Sequence, residues 1–186
     1  MRTADRTSAL GFVDDLVADG LSSFTFADAV RRLGRSPAAT ANSLRRLAAK
    51  GLVECVRRGH YVVRPLGVLG TSSASEELAL AVGAAFTDRP HRIGYRSALD
   101  EHSLLTQPVR SIQVALTGRT RTRRISNRPL QPVIESPEIL DVGATPERGS
   151  RVSDLERALL DGGARPDLVS AGTLAEALVA AGNRVK

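Results

Sequence analysis

Apolar residues at helical spacing open the chain. Ala9-Leu10, Phe12-Val13 and Leu16-Val17 predict a helix that Gly20 closes. A second short helix follows, with Thr25 as its cap, Asp28 as the capping-box partner, and Phe26, Ala29, Val30 and Leu33 on its apolar side. Gly34 breaks it. Ser36-Pro37 opens a third helix, since Ser is a good N-cap and Pro suits the first helical position. Its expected buried stripe is Ala41, Leu44, Leu47 and Ala48, and Lys50-Gly51 ends it. Two extended runs come next, Leu52 to Val56 and His60 to Val63, joined by a turn at Arg57-Arg58-Gly59. Helix, helix, turn, helix and a basic-tipped hairpin is the order of a winged helix-turn-helix.

Pro, Gly and Ser between residues 65 and 73 predict a short connection, with Val68 and Leu69 packing within it. Beyond it the pattern becomes mixed. Ser73 with Glu76 starts a helix through Leu78, Ala81, Val82 and Phe86, and Tyr95 to Leu104 is another. Ile112, Val114 and Leu116 alternate with Gln113 and Ala115, predicting a half-buried strand. Residues 119–124 alternate Arg with Thr, as a hairpin arm would. Further strands are expected near Gln131–Ile134 and Ile139–Val142. Ser153 with Glu156 predicts a helix to about Asp161, and a last helix starts at Ser170 or Thr173 and runs to Ala181. The expected class is α+β, with a winged helix at 1–66 and a mixed α/β domain at 72–186.

Composition sharpens this picture. Aromatics are 3% of 186 residues, so cores of Leu, Val and Ala are expected. The net charge is +6, and residues 1–66 hold most of the candidate contacts to a polyanion. On the third helix, the face opposite the expected stripe carries Ala39, Thr40, Asn42, Ser43, Arg46 and Lys50. These residues are short near the N-terminus, hydrogen-bonding in the middle and cationic at the end, which suits base edges and then phosphates. With Ser36, Arg45, Arg57 and Arg58 they make a candidate DNA-binding set. The alternative is that Arg45, Arg46, Arg57 and Arg58 are solvated surface charges. No acid occurs from His102 to Ile134, while six Arg do. Arg121, Arg123 and Arg124 of that arm belong either to a solvated loop or to a second electropositive surface.

One cysteine, Cys55, excludes an intramolecular disulfide, and it is expected in the core of the first wing strand. His60, His91 and His102 have no metal-site spacing, and no phosphate loop or nucleophile motif occurs. Asp154 and Asp161 read as helix surface, and Asp100-Glu101-His102 point to different faces. No catalytic residue, metal or cofactor is expected. Asp5, Asp14, Asp15 and Asp19 argue against a signal peptide, and no apolar run spans a membrane. A soluble, cytoplasmic protein is the expectation.

Three stretches resemble the AbiEi family of antitoxins from bacterial type IV toxin–antitoxin and abortive-infection systems. They are Leu47 to Val53 continuing through Arg57-Arg58-Gly59-His60-Tyr61, Tyr95-Arg96-Ser97-Ala98-Leu99-Asp100-Glu101-His102-Ser103-Leu104, and Val152-Ser153-Asp154-Leu155-Glu156-Arg157-Ala158-Leu159-Leu160-Asp161 with Arg165-Pro166. Ser103 stands where the family pattern has Gly after its His. The resemblance implies an autorepressor that binds inverted repeats in double-stranded promoter DNA, as a monomer or weak dimer that pairs on DNA. It also implies that the 72–186 domain counters a nucleotidyltransferase-like toxin, by direct contact, indirectly or by modification. A stand-alone winged-helix regulator whose second domain dimerises or senses a ligand is the alternative.

Overall fold

The computed structural model describes residues 8–64, 74–126 and 128–185. The connection at 65–73, with Val68 and Leu69, and the Ser73 half of the predicted capping box lie outside them. The chain divides into two compact units, 1–73 and 74–186, and mixes helices with sheets. No helix among the described residues is long and apolar enough to cross a membrane.

The first unit runs α1 (Ala9–Ala18), β1 (Ser23–Thr25), α2 (Phe26–Leu33), α3 (Pro37–Ala49), β2 (Val53–Arg57) and β3 (His60–Val63). Local chemistry sets its boundaries. Ser8 caps α1 by accepting from the Gly11 amide at 2.9 Å. Thr25 and Asp28 form the full reciprocal capping box of α2, and Gly34 ends that helix at φ 59°, where a side chain would be strained. Ser36 caps α3 by accepting from the Ala39 amide, with Pro37 at the first helical position. The three strands pair antiparallel in the order β1-β3-β2.

Phe12 and Phe24 meet edge to face at 5.2 Å, and Phe24 stacks on Tyr61 at 5.3 Å. Leu16, Leu33, Leu44, Leu47, Val53 and Val63 complete this core. Leu, Val and Ala make up most of this core, as expected, and Phe12 and Phe24 add to it two side chains that each cover a large area. β1 was not legible, being three residues long with one inward position, Phe24. Cys55 is exposed rather than in the core, its Sγ 3.2 Å from the Arg57 carbonyl. A register shift between Cys55 and Arg57 turns that part of β2 outward.

The second unit runs α4 (Ala74–Ala85), β4 (His91–Ile93), α5 (Tyr95–Glu101), β5 (Ile112–Leu116), β6 (Arg124–Ile125), β7 (Arg128–Ile134), α6 (Pro137–Leu140), β8 (Ala144–Glu147), β9 (Ser150–Ser153), α7 (Leu155–Ala164) and α8 (Ala171–Ala181). Its six-stranded sheet has the order β6-β7-β5-β4-β9-β8, with β4·β9 and β5·β7 parallel and the other pairs antiparallel. α4 lies so close to the β8–β9 turn that a Cβ on Gly83 would sit 2.6 Å from Gly149 backbone atoms.

Several expectations change in this unit. β5 is buried on both faces, Gln113 included, because helices and neighbouring strands enclose it. Residues 137–140 form a helix and not the expected strand, since Ser136-Pro137 repeats the start signal of α3. The cap of α7 is Asp154, which accepts from the Arg157 amide at 2.8 Å, and Ser153 belongs to β9. The expected hairpin arm is reduced to the two residues of β6 paired with Arg128-Pro129. Ser103 holds φ 57°, the left-handed region that favours Gly.

Candidate nucleic-acid interface

α3 and the β2–β3 hairpin carry the candidate residues of the first unit. The stripe of α3 that faces the core is Thr40, Ser43, Leu44 and Leu47, spaced i, i+3, i+4, i+7. This corrects the expected outward placement of Thr40 and Ser43, and the inward placement of Ala48, which is exposed. The stripe is rotated by about one residue because small polar side chains fill the crossing of α3 with α1 and α2. Ser43 Oγ donates to the Ala39 carbonyl at 3.0 Å and accepts from Arg35 Nη1 at 2.9 Å. Thr40 contributes its methyl group, and its hydroxyl is buried without a partner.

The outward face of α3 therefore carries Ala38, Ala39, Asn42, Arg45, Arg46, Ala49 and Lys50. Asn42 is the hydrogen-bonding centre, with Arg46 one turn on and Lys50 one turn further. The alanines before and between them keep this surface low, so a partner can approach the helix closely. Ser36 is exposed, with its oxygen engaged in the cap and its O–H free to donate outward. Arg58 and Gly59 make the two-residue turn of the hairpin, with Gly59 at φ 81°. The Phe26 amide donates to the Gly59 carbonyl at 2.8 Å and ties that turn to the start of α2. Arg57 is half-buried, its Nη2 donating to His60 Nε2 at 2.6 Å, while Arg58 is exposed.

Charge in this unit sorts by position. Asp19 pairs with Arg32 at 2.6 Å, Asp28 with Arg31, and Glu54 with Arg64. Hydrogen bonds from Thr25 hold the Asp28 carboxyl below its usual range. Arg45, Arg46, Lys50 and Arg58 have no acid partner among the described residues. Among the described residues of this unit, cations without an acid partner thus gather on α3 and the hairpin turn, which is the charge distribution a polyanion requires.

In the second unit Arg119, Arg121, Arg123 and Arg124 are exposed. Arg128 leaves that set, because its Nη2 donates to the Val109 carbonyl at 2.6 Å.

A buried cluster of four charges in the second unit has no counterpart in the sequence pattern. Arg92 of β4 is completely buried. It donates to Glu135 at 2.6 and 2.8 Å, to Asp161 at 2.8 Å, and to Ser153 Oγ. Arg157 reaches Asp161 at 2.6 Å and Glu135 at 3.7 Å. Tyr95 donates to Glu135 at 2.5 Å, and burial first, then that bond, holds its phenol well above the ordinary value, so it remains a donor. Asp161 is thus a buried partner and not the helix-surface residue expected. Two cations and two anions cancel within the cluster, and every acid oxygen faces a donor, which suits a structural knot tying β4, β9, α5 and α7 rather than an open reactive site. His102 belongs to the same neighbourhood, its Nε2 donating to the Ser153 carbonyl at 2.7 Å. Among the described residues no group of three or more His, Cys, Asp or Glu is gathered as a metal site.

Comparison with known proteins adds a family. Residues 12–64 match the family model described as "Transcriptional regulator, AbiEi antitoxin". That match covers most of α1 and everything to the end of β3. No curated protein matches the chain. Among solved structures, the chain is similar to the RV2827C protein from Mycobacterium tuberculosis at 18% identity and a TM-score of 0.59. The similarity covers 86% of this chain and 61% of that one, and it is a likeness of fold.

Proposed function

We propose, from the match of residues 12–64 to the family model of AbiEi-antitoxin transcriptional regulators, that this chain is a DNA-binding antitoxin that represses its own operon. The first unit acts as a winged helix-turn-helix. α3 enters the major groove, with Asn42 and Arg46 at base edges and Arg45, Lys50 and Ser36 at phosphates. Arg57 and Arg58, on the β2–β3 wing, contact the flanking backbone. Arg121, Arg123 and Arg124 add a sequence-independent contact to the phosphates. The second unit serves antitoxicity against a nucleotidyltransferase-type toxin, and two copies of the chain occupy the halves of an inverted repeat.

The observation that carries this reading is the outward face of α3, where Asn42 stands beside cations that no acid among the described residues pairs with. Footprinting of the full chain on the DNA preceding its own reading frame tests it. Protection of paired half-sites about 10 base pairs or a multiple of that apart is expected. Uniform coverage with no preferred site would overturn it. For the antitoxin half, residues 1–70 alone are expected to repress without rescuing cells from a co-expressed toxin. Rescue by residues 1–70, at unchanged toxin transcript, would overturn the role of the second unit.

A further inference from the structure

The second unit contains a pocket of about 320 Å³ that shares no residue with α3 or with the exposed arginines at 119–124. Its walls include Arg96, Arg110, Ser111, Gln113, Gln131 and Leu168. No acid lines it.

Hydrogen bonding within the walls is directional. Gln113 is buried and fully engaged: its Oε1 accepts from the Arg96 amide at 2.8 Å, and its Nε2 donates to Gln131 Oε1 at 3.0 Å and to the Leu168 carbonyl at 3.2 Å. Gln131 is thereby fixed with its oxygen occupied and its amide hydrogens free. The guanidinium groups of Arg96 and Arg110 make no hydrogen bond or close ion pair among the described residues, and Arg96 Nε is buried without a hydrogen bond. The acids near this region are already engaged: Asp167, beside Leu168, pairs with Arg165 at 2.8 Å, and two others are held by backbone amides. Asp100 accepts from the Val109 amide at 3.2 Å, and Glu176 accepts from the Thr106 amide at 2.6 Å. Glu176 also feels the Arg96 charge, as the smallest of the influences on its carboxyl.

The pocket therefore offers donors and positive charge. A half-buried guanidinium that makes no hydrogen bond and meets a carboxylate only at longer range loses solvation and regains little of it. An acceptor-only group of tetrahedral or planar oxygens would supply what it lacks, and Arg suits phosphate because its fork can donate two parallel bonds. The volume lies at the small end of the range for ligand pockets, enough for a phosphate with a modest organic group against Leu168.

We propose that this pocket binds the phosphate group of a phosphomonoester, held by Arg96 and Arg110 with the Gln131 amide as a neutral donor. The same chemistry is offered by free inorganic phosphate, a nucleoside 5′-monophosphate and the 5′-phosphate of a nucleic-acid end. The full chain is titrated with each of the three at constant ionic strength, by calorimetry and by NMR of the arginine Nε–H signals. A 5′-hydroxyl oligonucleotide and a nucleoside serve as the unphosphorylated controls.

Saturable one-to-one binding is expected for at least one phosphorylated probe and for neither control, with the Arg96 Nε–H signal moving on binding. Whichever probe binds most tightly identifies the source of the phosphate. Arg96→Gln should weaken binding at least tenfold with an unchanged melting curve, whereas Arg58→Gln in the first unit should leave it intact. Should Arg96→Gln not fold, Arg110→Gln at an exposed position carries the same expectation. Binding that survives both substitutions, or that is lost on changing Arg121, Arg123 and Arg124 instead, would overturn the proposal. So would an affinity for phosphate no greater than for chloride.

Discussion

Arg92→Met removes a guanidinium that is completely buried, and it leaves Glu135 and Asp161 almost as deeply enclosed, with side chains 5% and 10% exposed. In the native cluster Arg92 and Arg157 balance the two carboxylates. After the substitution a net negative charge remains inside, and only Arg157, 2.6 Å from Asp161 and 3.7 Å from Glu135, is left to face it. Breaking one side of a buried charge network costs about 3–5 kcal/mol. For a unit of this size, about 4 °C of melting temperature accompanies each kcal/mol, so a drop of roughly 12–20 °C is expected. The double variant Arg92→Met/Glu135→Met restores neutrality and leaves the Arg157–Asp161 pair, while the Tyr95 hydroxyl loses its acceptor and Asp161 Oδ2 and Ser153 Oγ lose the Arg92 donor. It should lie within about 2 kcal/mol of the parent, far less than the sum of the single substitutions. Urea unfolding followed by circular dichroism, with constant m-values, measures all four corners of the cycle. A single-variant cost under about 1 kcal/mol, or additivity of the two substitutions, would refute the charge-balance reasoning.

Ser103→Gly should stabilise the chain by about 0.5–1 kcal/mol, since Ser103 is held at φ 57°; thermal melts check the sign, and a loss would mean the serine side chain contributes more than the strain costs. Burial holds the His91 imidazole below its ordinary value of 6.5, so the unfolded chain takes up the proton first. Stability is then complete above about pH 6.5 and falls as the pH drops below it, by at most about 1.4 kcal/mol per pH unit from this group, and His91→Gln should flatten that slope in urea titrations. Changing Arg121, Arg123 and Arg124 to Ser should lower the log–log salt slope of DNA affinity by roughly 2–3 while keeping the ratio of specific to random DNA; an unchanged slope removes the arm from the DNA contact.

Much of the first unit was legible because its boundaries are set by short-range chemistry. The Thr25–Asp28 box, the Ser36-Pro37 start and the glycines at 34, 51 and 59 each act within a few residues. The face of α3 was misplaced by about one residue because polarity stood in for exposure. Thr40 and Ser43 are small enough to be buried, and only the packing of α1 and α2 decides that they are. In the second unit the same Ser-Pro signal at residues 136–137 competes with an apolar pair, Ile139-Leu140, that fits a strand equally well. The buried cluster was beyond local reading altogether. Arg92, Glu135 and Asp161 lie on separate elements and meet only through the sheet order, and no spacing marks them as partners. The one hint was an arginine set between His91 and Ile93 in a short strand whose every residue is buried.

The central claim is that α3 reads DNA sequence through Asn42 and Arg46. Its most direct measurement is the affinity of Asn42→Ala/Arg46→Ala for the operator and for random DNA, taken side by side at one salt concentration. Each base contact is expected to contribute about 1–3 kcal/mol of discrimination. The account predicts that operator affinity falls by that amount per residue and that the ratio to random DNA collapses, while affinity for random DNA drops only modestly with the loss of one cation. A double variant that still prefers its operator as strongly as the parent does would contradict the account and place sequence reading elsewhere on the chain.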